Sequence, residues 1–271
     1  MLPKERYLQL HSRFYDLLDE ESVWFGKLLP YDDYQIASTA AQGGGWMMFH
    51  MLAEGQTNEL LNGINHFCSR ARRLSAWAEI LEETQDEDEK FSVVLEMVEP
   101  VFRITMDYPY AFKSSLIFSS VLLLRDTAGT LQFRFKEFKD RDIALKTLEA
   151  FQPLAAAQGW GSLDAYLQKL SDINSKAFVK QTQNYRNRFH HQIEPHLEVG
   201  LLSSVVRKKE EKGLAYEFGV EHPVKLSAVL PLLASEHAAC VEAFKAFWSL
   251  LVDQVNVWKL KYPLEGRTTT G

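Results

Sequence analysis

An arginine, an amide and two histidines lie close together in one stretch of the sequence, residues 183–192. In a helix that turns about 100° per residue, Arg186 and His190 are i,i+4 neighbours, and so are Asn187 and His191. The four side chains then form one polar patch, which must face water, a ligand or a second subunit. The opposite side of the same helix is apolar and is expected to meet a core; it carries Phe178, Tyr185, Phe189 and Ile193.

The patch lies in a locally basic segment of an acidic chain. Residues 173–193 include no acid, whereas the whole chain has a formal net charge of −6. A small cationic surface of this kind is typical of an anion site, and phosphate is the commonest biological anion. A solvated helix face gives the same pattern. The four bases are Lys176, Lys180, Arg186 and Arg188.

These residue types suit the cleavage of RNA without a metal. In that reaction the 2′-hydroxyl attacks the neighbouring phosphorus and leaves a cyclic phosphate. It needs a general acid or base with a pKa near neutrality, which histidine supplies. It also needs a fixed cation beside the phosphate oxygens, for which the arginine guanidinium is well shaped.

The run Arg186-Asn187-x-x-x-His191 resembles the R-x(4–6)-H signature of the HEPN superfamily. The resemblance covers residues 91–259 and implies an all-helical bundle, a homodimer and a metal-independent endoribonuclease of toxin, defence or RNA-processing systems. It implies that His191 is the general acid or base and that Arg186 stabilises the phosphate. Residues 6–11 satisfy the same spacing, but with Tyr7 where the later match has Asn187.

The other polar residues of the patch have more than one interpretation. Asn187 could orient the imidazole of His191 or hold a phosphate, and His190 could be a second acid or base. Lys180 and Arg188 are predicted to bind substrate phosphates. No cofactor is expected, and the expected partners are RNA or a nucleotide, a second copy of the chain and a neutralising protein.

Two alternatives to the ribonuclease remain open. The chain could be a non-catalytic HEPN-like module whose patch binds a nucleotide, a phosphate or a partner protein. A metal site at His190, His191 and His196 is disfavoured, because adjacent histidines on a helix diverge by about 100°.

Composition sets the limits of these hypotheses. The chain has 271 residues, 46% of them hydrophobic and 24% charged, which is typical of a globular protein with one large domain or two small ones. A pI near 5.8 argues against broad coating of nucleic acid. Cys68 and Cys240 indicate neither a disulfide framework nor a zinc site. With no signal peptide and no membrane-spanning run recognised, a cytoplasmic location is expected.

Helical periodicity dominates the chain and predicts two regions. Residues 82–89 include six acids, which indicates a solvated loop and a boundary between a region of unassigned role, 1–88, and a HEPN-like bundle, 89–271. Residues 46–81 are predicted to form two helices broken near Gly55. A bend is expected at Pro100, and a new apolar helix from Asp107.

The remaining elements are predicted from residue 140 onwards. Asp140 or Asp142 should cap one helix, and Ser162 the long helix that carries the patch. A period of two in residues 216–221 predicts a short β-hairpin, near 203–222, with its turn at 208–213. A final apolar helix begins near Ser227. The predicted fold class is therefore all-α, a helical bundle with one β-hairpin insertion.

Overall fold

The chain folds into an all-α bundle with a single two-stranded insertion. The computed structural model describes residues 2–19, 26–36, 44–135, 138–191, 194–200, 202–210 and 213–261. The predicted fold class is confirmed at this level. The helices and strands, in chain order, are α1 (Lys4–Asp19), α2 (Gly44–Glu83), α3 (Glu87–Val93), α4 (Glu99–Thr130), α5 (Leu145–Glu149), α6 (Gln152–Gln158), α7 (Ser162–Asp172), α8 (Lys176–Gln181), α9 (Tyr185–His191), β1 (Leu202–Glu210), β2 (Gly213–Glu221) and α10 (Leu226–Lys261).

The chain divides into two compact units, each made of three separate segments. Unit 1 contains Met1–Gly26, Phe67–Tyr108 and Ser175–Glu236, and unit 2 contains the rest of the chain. The boundary expected between residues 88 and 89 lies inside α3, within unit 1; as a statement about domains it stays a prediction. The expected patch lies in unit 1.

The core of unit 1 is built around aromatic contacts between its helices. Phe14 of α1 stacks on Trp77 of α2, with ring centroids 4.6 Å apart. Two ion pairs join α1 to the acidic segment 82–89. Arg13 pairs with Glu83 at 2.7 Å, and Arg6 pairs with Glu89 at 2.6 Å. Both arginines therefore stabilise the packing of α1.

Unit 2 buries its core between α10 and the unit 2 segments of α2, α4 and α7. Phe49 stacks on Trp258 at 4.8 Å, and Tyr166 packs near Phe247 at 6.2 Å. By length and composition α10 could cross a membrane. Core helices of soluble proteins pass the same test, and Phe247 is buried here.

Several helix boundaries differ from the sequence-based expectations. α2 is continuous through Gly55, since one glycine costs only about 1 kcal/mol in a helix of 40 residues. α4 likewise continues through Pro109, so Asp107 lies inside a helix and does not begin one. A π-helical turn, Val94–Val98, joins α3 to α4 directly before Pro100; proline has no N–H to donate within the helix, and π-turns interrupt the regular hydrogen-bonding pattern.

The acidic segment 82–89 is not one long loop. Glu83 ends α2, and Asp86 caps α3 by accepting a hydrogen bond from the Glu89 amide at 2.7 Å. Asp140 and Asp142 form a short 3₁₀ turn and do not cap α5; Ala144 occupies its N-cap position, and the Ala144 amide donates to the Thr147 hydroxyl at 3.2 Å. Acidic residues before a helix and in its first turn interact favourably with the helix dipole, which explains why residues 87–89 are helical although they are acidic.

The hairpin is confirmed, with longer strands than the period-of-two signal indicated. β1 and β2 pair antiparallel, Leu202 opposite Glu221 and Glu210 opposite Gly213. The expected turn at 208–213 is therefore mostly strand. Residues 211 and 212 lie between the strands, outside the described part of the chain.

Candidate functional site

The expected long helix carrying the patch is three separate helices, α7, α8 and α9. Asn174 has a φ of +54°, and Gln183 and Asn184 have φ values of +55° and +54°. This left-handed conformation is incompatible with a continuous α-helix. The Asn184 amide donates instead to the Val179 carbonyl at 2.7 Å, and α9 begins at the next residue.

The apolar side of α9 packs against α4. Tyr185 is 2% exposed, and its ring meets Phe102 edge-on with centroids 5.0 Å apart. Phe189 lies parallel to Tyr185 at 6.2 Å and is half-buried. Phe178, on α8, is buried as expected, whereas Ile193 lies outside the described residues.

An ionic cluster holds α9 and the following segment on α4. Arg103 donates to both oxygens of Glu194, at 2.9 and 2.8 Å, and to Glu99 at 2.6 Å. Its guanidinium carbon lies 5.3 Å from the Phe189 ring centroid, a cation–π contact. The Tyr185 hydroxyl donates to Glu194. We call these five residues the Arg103 clamp.

The clamp changes the ionisation of its members. The hydrogen bonds that Arg103 donates to Glu194 raise the pKa of Arg103 above its ordinary value. Burial raises the pKa of Tyr185, and the adjacent Glu194 carboxylate raises it further. The phenol of Tyr185 therefore stays protonated and remains a hydrogen-bond donor over the physiological pH range.

The polar side of α9 meets one carboxylate of α4. Arg186 Nε donates to Asp107 Oδ1 at 2.8 Å, and His190 Nε2 lies 3.4 Å from the same oxygen. The side chains of Arg186, Asp107 and His190 are 35%, 36% and 39% exposed, respectively. The cluster is therefore open to solvent, and we call it the Asp107 cluster.

The sequence predicted that Arg186 and His190 are neighbours and missed the residue that joins them. Asp107 is 79 positions from Arg186, and it was interpreted as the start of a helix. A signal for it exists within α4. Glu99, Arg103 and Asp107 recur every four residues with alternating charge, and the first two form an i,i+4 ion pair at 2.6 Å.

The other two residues of the predicted patch lie beside the Asp107 cluster. His191 is exposed, and its ring centroid is 6.2 Å from that of His190, tilted by 50°. Asn187 is half-buried. Glu194, the acid nearest to Arg186 along the sequence, pairs with Arg103.

The two predicted phosphate-binding residues lie apart from the patch. Lys180 is exposed on α8, which is separated from α9 by the left-handed residues. Arg188 forms an ion pair with Glu221 of β2 at 2.7 Å, and only 15% of its side chain is exposed. The two residues therefore do not share one helix face with Arg186, but each stays a predicted substrate contact.

Within the described residues, no group of three or more histidines, cysteines and acids is arranged to hold a metal ion. His196, the third histidine of the disfavoured metal site, is exposed. The arrangement supports proton transfer by histidine and charge stabilisation by arginine.

No family model, curated protein or solved structure matches the chain.

Proposed function

We propose that the protein is a metal-independent endoribonuclease of HEPN type, with its site at the Asp107 cluster and His191. The observation that carries the proposal is that one carboxylate oxygen of the partly exposed Asp107 accepts a hydrogen bond from Arg186 and lies 3.4 Å from His190. A base held by a carboxylate beside a fixed cation, in reach of solvent, is the arrangement that acid–base phosphoryl chemistry needs.

The proposed reaction is a transesterification within RNA. The 2′-oxygen forms a bond to phosphorus while a histidine takes the proton of the 2′-hydroxyl. The bond from phosphorus to the 5′-oxygen breaks, and a second acid protonates that oxygen. The products are a 2′,3′-cyclic phosphate and a 5′-hydroxyl, so no water, metal or oxidant is consumed.

Four side chains divide the work in this proposal. His191 and His190 provide the two proton transfers, and their ring separation of 6.2 Å is compatible with one phosphodiester between them. Arg186 stabilises the charge on the non-bridging oxygens. Asp107 orients His190, as a carboxylate does when it fixes the orientation of an imidazole. Asn187 is assigned to orienting His191.

The test is RNA cleavage by protein purified and assayed in a chelator. The wild-type chain should cut a mixed-sequence RNA. The Arg186→Ala and His191→Ala variants should each cleave it more slowly, by about 10²-fold or more. Arg141→Ala and His66→Ala are matched controls, because both residues are exposed and remote in sequence from the site. Cleavage that is unaffected by the first two substitutions would refute the proposal.

A second function is favoured by the ion pairing of the arginines. Arg186 and Arg188 both contact carboxylates, Asp107 and Glu221, which lowers the net positive charge near a bound anion. Under this alternative the chain is a non-catalytic module that binds a nucleotide, a phosphate or a partner protein. Stoichiometric nucleotide binding without turnover in the same assay would support it.

The assembly and its surroundings are part of the same proposal. We infer a homodimer in which two copies of α9 build a composite cleft, and a cytoplasmic location where a neutralising protein could bind. Sedimentation equilibrium tests the dimer: the expected mass is twice 31.2 kDa. A monomer at micromolar concentration would contradict it.

A further inference from the structure

The hairpin separates its charges between two faces. Residues directly opposite in an antiparallel pair share a face, and alternate positions belong to opposite faces. Arg207 is opposite Tyr216, and Lys209 is opposite Leu214, so these four positions share one face. This is the Tyr216 face. It also includes the position of Phe218, opposite Val205, and none of its eight positions in the register is acidic.

The other face of the hairpin is acidic. It includes the positions of Lys208, Glu210, Glu217 and Glu221. The two faces therefore carry formal charges of +2 and −2, although both come from the same eighteen strand residues. Such segregation follows directly from the alternation of the sequence with the strand period.

Two residues of the Tyr216 face are described, and both are exposed: Tyr216 is 60% exposed and Val220 is 58% exposed. On the acidic face, Glu221 is half-buried and forms its 2.7 Å ion pair with Arg188 of α9. Glu221 thus joins the acidic face to α9, which carries Arg186 and His190.

We propose that the Tyr216 face binds single-stranded RNA. Cations at alternate positions suit successive phosphates, and an exposed aromatic ring gives a base a surface to stack on. A polyanion is the partner whose charge matches this face on a chain of net charge −6. This inference rests on the proposed ribonuclease function and names the surface that selects its substrate.

The test uses an RNA that cannot be cleaved. Binding of a fluorescent, unstructured 2′-O-methyl oligonucleotide to the full chain is measured by anisotropy in a chelator at several salt concentrations. The paired variants are Arg207→Glu against Lys208→Glu, which make the same charge reversal on opposite faces of one strand. Tyr216→Ala is paired with Glu217→Ala in the same way.

The expected effects differ between the faces. Tyr216→Ala should weaken binding roughly 5- to 100-fold, the effect of losing one stacked base. Arg207→Glu should weaken binding at low salt and reduce the slope of log affinity against log salt by about 0.7 or more. Lys208→Glu and Glu217→Ala should change affinity by less than about threefold, with circular dichroism confirming that each variant is folded.

The inference is overturned if Lys208→Glu weakens binding as much as Arg207→Glu, or if the wild-type chain does not bind the oligonucleotide. Binding of phosphatidylserine vesicles, lost in Arg207→Glu, without any binding of RNA would also overturn it in favour of a membrane surface. Arg186→Ala separates the two proposals, since it should slow cleavage by about 10²-fold or more and weaken this binding less than Tyr216→Ala does. Hairpin variants should still cleave at saturating RNA, so each proposal can fail alone.

Discussion

Asp107 contacts both Arg186 and His190. Its Oδ1 atom accepts from the arginine at 2.8 Å and lies 3.4 Å from the imidazole. Without the carboxylate, a protonated His190 and Arg186 would be like charges one helical turn apart, which is unfavourable. The residue therefore sets both the charge balance and the orientation of the site.

A double-mutant cycle measures this dependence. Asp107→Asn should slow RNA cleavage by about 10²-fold, because His190 loses its orienting carboxylate. His190→Ala should slow it at least as much, and Asp107→Asn should add little to that variant, since residues that act as one unit are not additive. Additive effects of the two substitutions would show that Asp107 does not act through His190.

Tyr185 is the residue through which the buried side of α9 is joined to the Arg103 clamp. Tyr185→Phe removes only the hydroxyl that donates to Glu194. A hydrogen bond to a charged group contributes about 1.5–3 kcal/mol, so the free energy of unfolding should fall by about that amount. Urea denaturation checks the value. Tyr15→Phe, at an exposed tyrosine, should change it by less than about 0.5 kcal/mol, and equal effects would contradict the role of the clamp.

Residue-scale prediction from the sequence had a clear limit. The i,i+4 relation of Arg186 and His190 follows from helix geometry alone, and in the structure both side chains contact the carboxylate of Asp107. Asp107 could not be found from local spacing, because tertiary packing brings it across 79 positions. Arg188 is predicted to bind substrate phosphates, and packing of the hairpin pairs it with Glu221.

At the scale of elements, the break between α8 and α9 decides where the site lies. The apolar spacing of Phe178 and Tyr185 continues through the break, so periodicity predicted one helix. Two consecutive left-handed residues, Gln183 and Asn184, end that helix instead. Their side chains give little warning, since only asparagine is a common left-handed residue.

A glycine substitution tests the strain at this break. Gln183→Gly should raise the free energy of unfolding by about 1 kcal/mol, because glycine adopts a φ of +55° without a steric penalty. The same substitution at Gln168, exposed within α7, should lower it by about 0.5–1 kcal/mol. Chemical denaturation of both variants checks the opposite signs, and a decrease in both would refute a strained turn at Gln183.

Element types were more predictable than element boundaries. The hairpin and α10 each carry a pattern that matches their period, and both are found. The sequence predicts a break near Gly55 and a new helix from Asp107, yet α2 continues through Gly55 and α4 through Asp107 and Pro109, because burial of long apolar faces outweighs a local penalty of about 1–3 kcal/mol.

At the scale of the whole molecule, buried tyrosines make the free energy of unfolding depend on pH in the alkaline range. Burial raises the pKa of Tyr166 and of Tyr185 above the ordinary value near 10. Above pH 10 the unfolded chain loses these protons and the folded chain keeps them, so unfolding becomes more favourable as pH rises. The stabilising effect of the protonated phenols is present below about pH 10.

The urea midpoint should therefore fall between pH 9 and pH 11, and it should fall less in the double variant with Tyr166→Phe and Tyr185→Phe. Phenylalanine has no proton to lose, so the double variant removes this contribution while keeping the rings. An identical pH dependence in the two proteins would mean that other groups cause the alkaline loss of stability.

The identity of the new RNA ends tests the proposed function most directly. After cleavage of RNA by wild-type protein in a chelator, phosphorus NMR should detect 2′,3′-cyclic phosphate, and that signal should appear about 10²-fold or more slowly with Arg186→Ala. Cleavage that leaves 5′-phosphate ends, or cyclic phosphate formed equally by the variant, would contradict a ribonuclease site at the Asp107 cluster.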